Sequence, residues 1–161
     1  MNKIKLLFLI SFLSLFYISR ANVPTDFLPR IFQIGEYQVE YDVLVKNHDQ
    51  ELLEACDNDL KIAYGKLSSM FREMELYAEN SSYDLKGVRL WLHIFWNQDG
   101  TIQYLAYHLR PNSKNIEIPA FEAFLLSFVE NYQFPLLSEK SYTLYTSTSF
   151  PVYARRRKGR Q

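Results

Sequence analysis

The chain has few of the residues that build disulfides, metal sites or phosphate-binding loops. It contains one cysteine, three histidines and five glycines among 161 residues. A lone cysteine cannot form an internal disulfide, and the glycines lie too far apart for a loop that cradles phosphates. No nucleophile elbow or dinucleotide-binding fingerprint is present. The sequence therefore assigns no catalytic residue, and we expect no cofactor.

The N-terminus has the three parts of a secretory signal peptide. Lys3 and Lys5 precede an uncharged apolar run from Leu6 to Ile18, and Ser19-Arg20-Ala21 follows. We predict that residues 1–21 are cleaved and that the protein is periplasmic or secreted. The alternative is a membrane anchor, but a run of this length spans about 20 Å and a hydrocarbon core measures about 30 Å.

The charged residues are unevenly distributed. Residues 22–153 carry all 18 acidic residues and ten of the 18 basic ones, a net charge of −8. Such a body is poorly suited to nucleic acid. Five basic residues fall in the tail, residues 154–161, which we expect to be disordered. Weak contact of this tail with anionic surfaces is the alternative.

The clearest periodic element runs from Asp49 to Asn80. Its apolar residues recur at alternating spacings of three and four, which predicts one long helix: Leu53, Cys56, Leu60, Ala63, Leu67, Met70, Met74 and Tyr77. Cys56 in this pattern is expected to be a small buried hydrophobe, although a nucleophile or an intermolecular bridge remains open. The stripe favours packing on a sheet, with a coiled-coil homodimer as the alternative. Residues 22–48 read as a lead-in, in which 32–45 is either strand or helix, with helix preferred.

A β-hairpin follows, with strands Val88–Trp96 and Thr101–Leu109 joined by a turn that ends at Gly100. This turn pairs Asn97 with Thr101 and so sets the register. Leu90, Leu92 and Ile94 then face the core. On this register His93 and His108 point to opposite faces, so they could not share an ion, and we predict no metal site.

A second helix near Pro119, ended by Pro135, and a third strand over Ser141–Phe150 complete the pattern. The predicted fold class is α+β, with the order αββαβ and a three-stranded antiparallel sheet. Seven residues are expected to form the core: Leu60, Leu67, Met70, Leu92, Ile94, Phe124 and Phe128.

Three stretches carry a resemblance to a known family. Gly87-Val88 opens the first hairpin strand, Asp99-Gly100-Thr101-Ile102 forms its turn, and Phe121–Pro135 is a helix closed by a proline before the last strand. The chain thereby resembles the C-terminal domain of TonB-type energy-transducing proteins over most of residues 49–153. The resemblance implies the fold and a periplasmic setting. It does not imply energy transduction, because the Pro-rich spacer and the retained anchor of such transducers are missing.

Four large side chains are predicted on the face of the hairpin that does not carry the aliphatic core: Trp91, Phe95, Leu105 and Tyr107. Exposed together, they would mark a partner-binding site. The alternative is that segment 32–45 covers them. We therefore expect an exported, non-catalytic binding or adaptor module that uses this face or the edge of the third strand. Its expected partner is another periplasmic or envelope protein. A small exported enzyme is the alternative, which a deep pocket with perturbed titratable groups would favour.

Overall fold

A computed structural model describes residues 28–152. The predicted signal peptide and basic tail lie outside these residues. In chain order the elements are β1 (Ile31–Gln33), α1 (Gln38–Asn47), β2 (Gln50–Glu51), α2 (Leu52–Ala55), α3 (Leu60–Asn80), β3 (Arg89–Trp96), β4 (Ile102–Leu109), α4 (Ile118–Asn131) and β5 (Tyr142–Ser149).

The sheet has five strands in the order β1-β4-β3-β5-β2. β3 pairs antiparallel with β4 and β5, whereas β1 and β2 add in parallel at the two edges. The predicted three-stranded antiparallel sheet is therefore wrong, because the chain forms a mixed five-stranded sheet. Strands of two or three residues carry no periodic signal, and their partners lie far along the chain.

The long helix predicted from Asp49 is interrupted. Asp57 and Asn58 adopt left-handed conformations, with φ of 56° and 60°. After this turn, Oδ1 of Asp59 accepts hydrogen bonds from the backbone N–H groups of Lys61 and Ile62, at 2.8 and 3.0 Å. Asp59, rather than Asp49, is therefore the N-cap of α3.

The main core lies between one face of the sheet, here called the core face, and helices α3 and α4. Five of the seven predicted core residues are buried there: Met70, Leu92, Ile94, Phe124 and Phe128. Leu67 is partly buried. Leu60 is 71% exposed, so its predicted burial is wrong; it is the first residue of α3 and lies at the end of the helix. Burial of Cys56 is confirmed, and this burial raises the pKa of its thiol.

The turn of the hairpin forms as predicted, but the strand after it is turned over. Gly100 has φ of 85° and its N–H donates to Asn97 O, while Asn97 N–H donates to Thr101 O. The pairing then passes from Trp96–Ile102 to Phe95–Tyr104, which leaves Gln103 as an extra residue in β4. One inserted residue moves every following side chain to the other face.

The opposite side of the sheet, here called the second face, is half covered by α1. Leu44 and Tyr41 of α1 pack against Phe95 and Ala106 of the sheet and close a second, smaller hydrophobic cluster. Segment 32–45 thus contributes both a strand and a covering helix. The rest of the second face, which α1 leaves uncovered, carries Trp91 and His108.

Candidate functional site

The four predicted binding residues do not form one exposed patch. The extra residue in β4 places Leu105 and Tyr107 on the core face, opposite Ile94 and Leu92, while Trp91 and Phe95 stay on the second face. Phe95, Leu105 and Tyr107 are fully buried. The prediction of a shared exposed face is therefore wrong, and of the four only Trp91 reaches the surface, half-buried.

Two histidines lie buried beneath α1. Tyr41 Oη is 2.7 Å from Nδ1 of His93, and Nδ1 of His48 donates to Leu44 O at 3.0 Å. Both imidazoles contact Phe95, with ring centroids 4.2 Å away for His93 and 5.1 Å for His48. Burial, together with the nearby His48, lowers the pKa of His93 to about 4. Nε2 of His48 is buried with no partner among the described residues. The His93 ring is therefore neutral at pH 7, and both rings pack beneath α1.

The uncovered half of the second face combines aromatic and basic side chains. Trp91 pairs with His108 across β3 and β4, and their rings stack with centroids 5.7 Å apart and planes at 17°. The guanidinium of Arg110 lies 5.7 Å from the centroid of Trp91. Arg89 and Arg110 face each other across the end of the hairpin, where Arg110 N–H donates to Arg89 O at 2.9 Å. We call Arg89, Trp91, His108 and Arg110 the basic cluster.

The strand residues described next to the basic cluster are not acidic, since Glu51, the acidic strand residue described on this face, pairs with Thr143 at the other end of β5. On β5, the residues that pair with Trp91 and Arg89 are Ser147 and Ser149. Over residues 28–152 the side-chain ion pairs join Lys114 to Asp84 and Lys140 to Asp49. Neither pair includes an arginine of the cluster. The guanidinium groups are therefore available to an anionic ligand.

Beside this cluster runs the free edge of β5. Within the described part of the chain, only β2 occupies that side of β5, and it pairs with Tyr142 and Thr143 alone. Phe150 N–H donates to Val88 O at 2.9 Å. Because successive backbone groups along a strand point to alternate sides, the amides of residues 145, 147 and 149 point away from β3. Tyr145, Ser147 and Ser149 are all exposed.

A small cleft lies elsewhere, between α3 and α4, with a volume of about 230 Å³. Its walls include Glu73, Tyr77, Phe128 and Tyr132. The pKa of Tyr132 is raised, chiefly by burial and further by Glu73. This volume is below the roughly 300–1,000 Å³ typical of small-molecule pockets. The cleft therefore gives little room for a substrate.

Metal binding has little support in residues 28–152. The bulge brings His93 and His108 to the same face, contrary to the prediction. His93 is buried beneath α1, however, whereas His108 is exposed outside the area that α1 covers. The described residues contain no group of three or more His, Cys, Asp or Glu side chains that could hold an ion.

None of the helices in residues 28–152 is long and apolar enough to cross a membrane.

Comparison with known proteins does not assign the chain to a family. No family model matches it, and no curated protein or solved structure resembles it at a significant level. The resemblance to the TonB C-terminal domain thus stays a prediction.

Sequence reasoning located one member of this site and missed its neighbours. Trp91 was correctly placed on the second face. The predicted register puts His108 on the face opposite to His93, because the bulge at Gln103 has no clear sequence signal. Arg110 lies one residue beyond the predicted strand end at Leu109, although its backbone continues the hairpin pairing by one residue. Arg89 lies near the start of the first predicted hairpin strand, and Arg110 directly follows the second. Because these two ends of a hairpin lie side by side, the sequence could have predicted that the two arginines are neighbours.

Proposed function

We propose that this chain is an exported, non-catalytic binding module that pairs an extended segment of another protein with the free edge of β5. The observation that carries the proposal is the run of outward-facing, exposed residues at that edge, Tyr145, Ser147 and Ser149. Addition of a strand to such an edge satisfies its backbone groups, and this main-chain pairing supplies affinity.

Among residues 28–152, none of the usual protections against pairing is found at the edge of β5 beyond Thr143. Soluble proteins normally guard edge strands with charges, prolines, bulges or covering segments. From Tyr142 to Ser149, β5 contains no charged residue and no proline, and its pairing with β3 is continuous. β2 covers only the first two residues. A strand left open in this way is well suited to accept a partner strand of about five or six residues.

A second copy of the chain fits this edge less well than a different protein. An antiparallel copy at β5 would place another Arg89 and Arg110 on the same continuous face. The acidic strand residue described on this face, Glu51, pairs with Thr143 at the end of β5 remote from Arg89, so within each copy the two arginines have no acidic strand residue beside them. We therefore favour an extended segment of another protein as the occupant.

The test uses a proline at the outward-facing position Ser147. Heptapeptides would be selected from a random displayed library on the mature protein, and their affinities measured by fluorescence anisotropy. Ser147→Pro removes the edge N–H but no hydrogen bond to β3, so we expect binding to fall at least tenfold. Ser147→Ala keeps the amide and should bind as the wild type does.

Two results would overturn the proposal. The first is peptides that bind Ser147→Pro as tightly as the wild-type protein, while circular dichroism shows both to be folded. The second is a concentration-dependent dimer in analytical ultracentrifugation that disappears in Ser147→Pro, since it would identify a second copy as the occupant.

Export forms a separate part of the proposal and rests on the three-part N-terminus. Mass spectrometry of the protein purified from its native host should show a new N-terminus near Asn22. An intact Met1 on the mature protein would exclude cleavage and, with it, export through a cleaved signal peptide.

A further inference from the structure

We infer that the strand bound at β5 is acidic, and that Arg89 and Arg110 bind its carboxylates on the second face. This inference rests on the proposed function and specifies the chemistry of the partner. It comes from the juxtaposition of two arginines with an open strand edge.

The first argument is the unfavourable pairing of like charges. Arg89 and Arg110 are neighbours across the end of the hairpin, and like charges directly opposite one another destabilise a sheet. Arg89 is exposed and Arg110 half-buried, and the described ion pairs involve other residues. Two carboxylates from a ligand would neutralise the two guanidinium groups and offset this cost.

The second argument is reach. An incoming strand would lie about 10 Å from β3, because neighbouring strands are about 4.8 Å apart. The β5 side chains in between, on the second face, are Ser147 and Ser149. Since serine is short, the side chain of Arg89 can pass over β5 to the new strand. An arginine and a glutamate together cover this distance.

The third argument is the preorganisation of Arg110. Its guanidinium lies over the ring of Trp91, which in turn is stacked on His108. A guanidinium held against an aromatic face loses less conformational freedom when it binds a carboxylate. The aromatic stack thus holds one of the two anion-binding groups in place before the ligand arrives.

A short acidic peptide is favoured over a nucleic acid by the charge of the remaining surface. Residues 28–152 contain ten basic and 17 acidic residues. A long polyanion would meet this net negative field, whereas a peptide with a few carboxylates would respond mainly to the basic cluster. Nucleic acid binding is therefore treated as an outcome that would overturn the inference.

The experiment compares two probe peptides on the mature protein. One is an acetylated, amidated octapeptide of alternating Thr and Glu, and the other has Gln in place of each Glu. At low salt we expect the Glu peptide to bind about five- to tenfold more tightly, a range consistent with one or two exposed charge pairs. The difference should shrink near 1 M salt, where the Debye length is about 3 Å.

Single substitutions assign the preference to the cluster. Arg89→Gln and Arg110→Gln should each reduce the ratio between the two peptides towards one. Lys61→Gln removes the same charge from an exposed position on α3 and should leave the ratio unchanged. A positive result would be loss of the preference in both arginine variants and its retention in the lysine variant.

The possible failures are distinguishable. Equal binding of the two peptides, still sensitive to Ser147→Pro, would overturn the acidic preference and leave strand addition standing. Binding of neither peptide would overturn this inference, and the failure of the displayed library would decide against the proposed function itself. Tighter binding of a decathymidine strand, lost in Arg89→Gln, would identify the cluster as a nucleic-acid surface instead.

Discussion

The hydroxyl of Tyr41 lies 2.7 Å from Nδ1 of His93, and this contact joins α1 to the central strand of the sheet. His93 is 7% exposed, and its ring also meets Tyr145 edge-on at 5.5 Å. The titratable groups around it are His48, Tyr41 and Tyr145. None of them is negatively charged near neutral pH, so no neighbour stabilises a protonated imidazole.

This environment predicts that the protein loses stability in mild acid. The pKa of His93 is about 4 in the folded chain, against 6.5 for an unperturbed histidine. As pH falls below about 6.5, the unfolded chain binds a proton that the folded chain does not. The free energy of unfolding should therefore drop between pH 6.5 and pH 4, by up to about 3 kcal/mol from this residue. Above pH 7 the effect is absent.

Urea unfolding at pH 7.5 and pH 4.5 measures this effect. The contribution of His93 is the loss of unfolding free energy between the two pH values in the wild-type protein minus the same loss in His93→Phe, whose phenylalanine cannot titrate. If His93→Phe loses as much stability in acid as the wild-type protein, the destabilisation comes from other groups.

The sequence predicted the parts of the fold that have a strong local pattern. β3, β5 and α4 lie within a few residues of their predicted bounds because their apolar residues repeat over eight or more positions. The predicted start of the long helix was wrong because the apolar spacing of Leu53, Cys56 and Leu60 continues through a turn. There the left-handed residues Asp57 and Asn58 break the helix. β1 and β2 depend on distant partners and could not be predicted from their own residues.

The site was harder to predict than the fold, since it depends on a single extra residue. Gln103 looks like an ordinary strand residue, yet its insertion exchanges Leu105 and Tyr107 with Ala106 and His108. The exchange is favourable because it buries the larger apolar side chains against α4, and it lets Tyr107 donate to Glu122 at 2.8 Å. Tertiary packing, rather than local sequence, decides the register of β4.

The interruption of the long helix predicts different costs for two residues of its apolar spacing. Met70 is fully buried in the core, whereas Leu60 is 71% exposed. Met70→Ala should lower the free energy of unfolding by about 2–5 kcal/mol, through lost burial and a cavity. Leu60→Ala should change it by less than about 0.5 kcal/mol. Chemical denaturation of both variants measures the two changes in the free energy of unfolding. Similar changes would indicate that Leu60 is buried like Met70, as the prediction of one uninterrupted helix requires.

Gly100 and Gly35 separate backbone strain from steric overlap. Both have positive φ, at 85° and 104°. A Cβ at Gly100 would overlap Phe134 O and lie 3.0 Å from Leu136 O, whereas a Cβ at Gly35 would meet nothing within 4 Å. Gly35→Ala should cost about 1–2 kcal/mol from the conformation alone. Gly100→Ala should cost more than about 3 kcal/mol. Equal losses of stability in thermal unfolding would mean that the backbone near Phe134 moves away from the new Cβ without an energetic cost.

The two tryptophans provide a direct readout of the proposed surface. Trp91 is half-buried on the strand next to β5, whereas Trp96 is fully buried, stacked on Tyr142 and in tilted contact with Phe134. In Trp96→Phe the remaining Trp91 should be quenched readily by acrylamide. In Trp91→Phe the remaining Trp96 should be protected and emit at shorter wavelength. A strand at β5 and carboxylates at Arg110 would shield Trp91, so the Glu peptide should reduce its quenching and leave that of Trp96 unchanged. If saturating peptide leaves Trp91 as accessible as before, the peptide does not lie over the basic cluster.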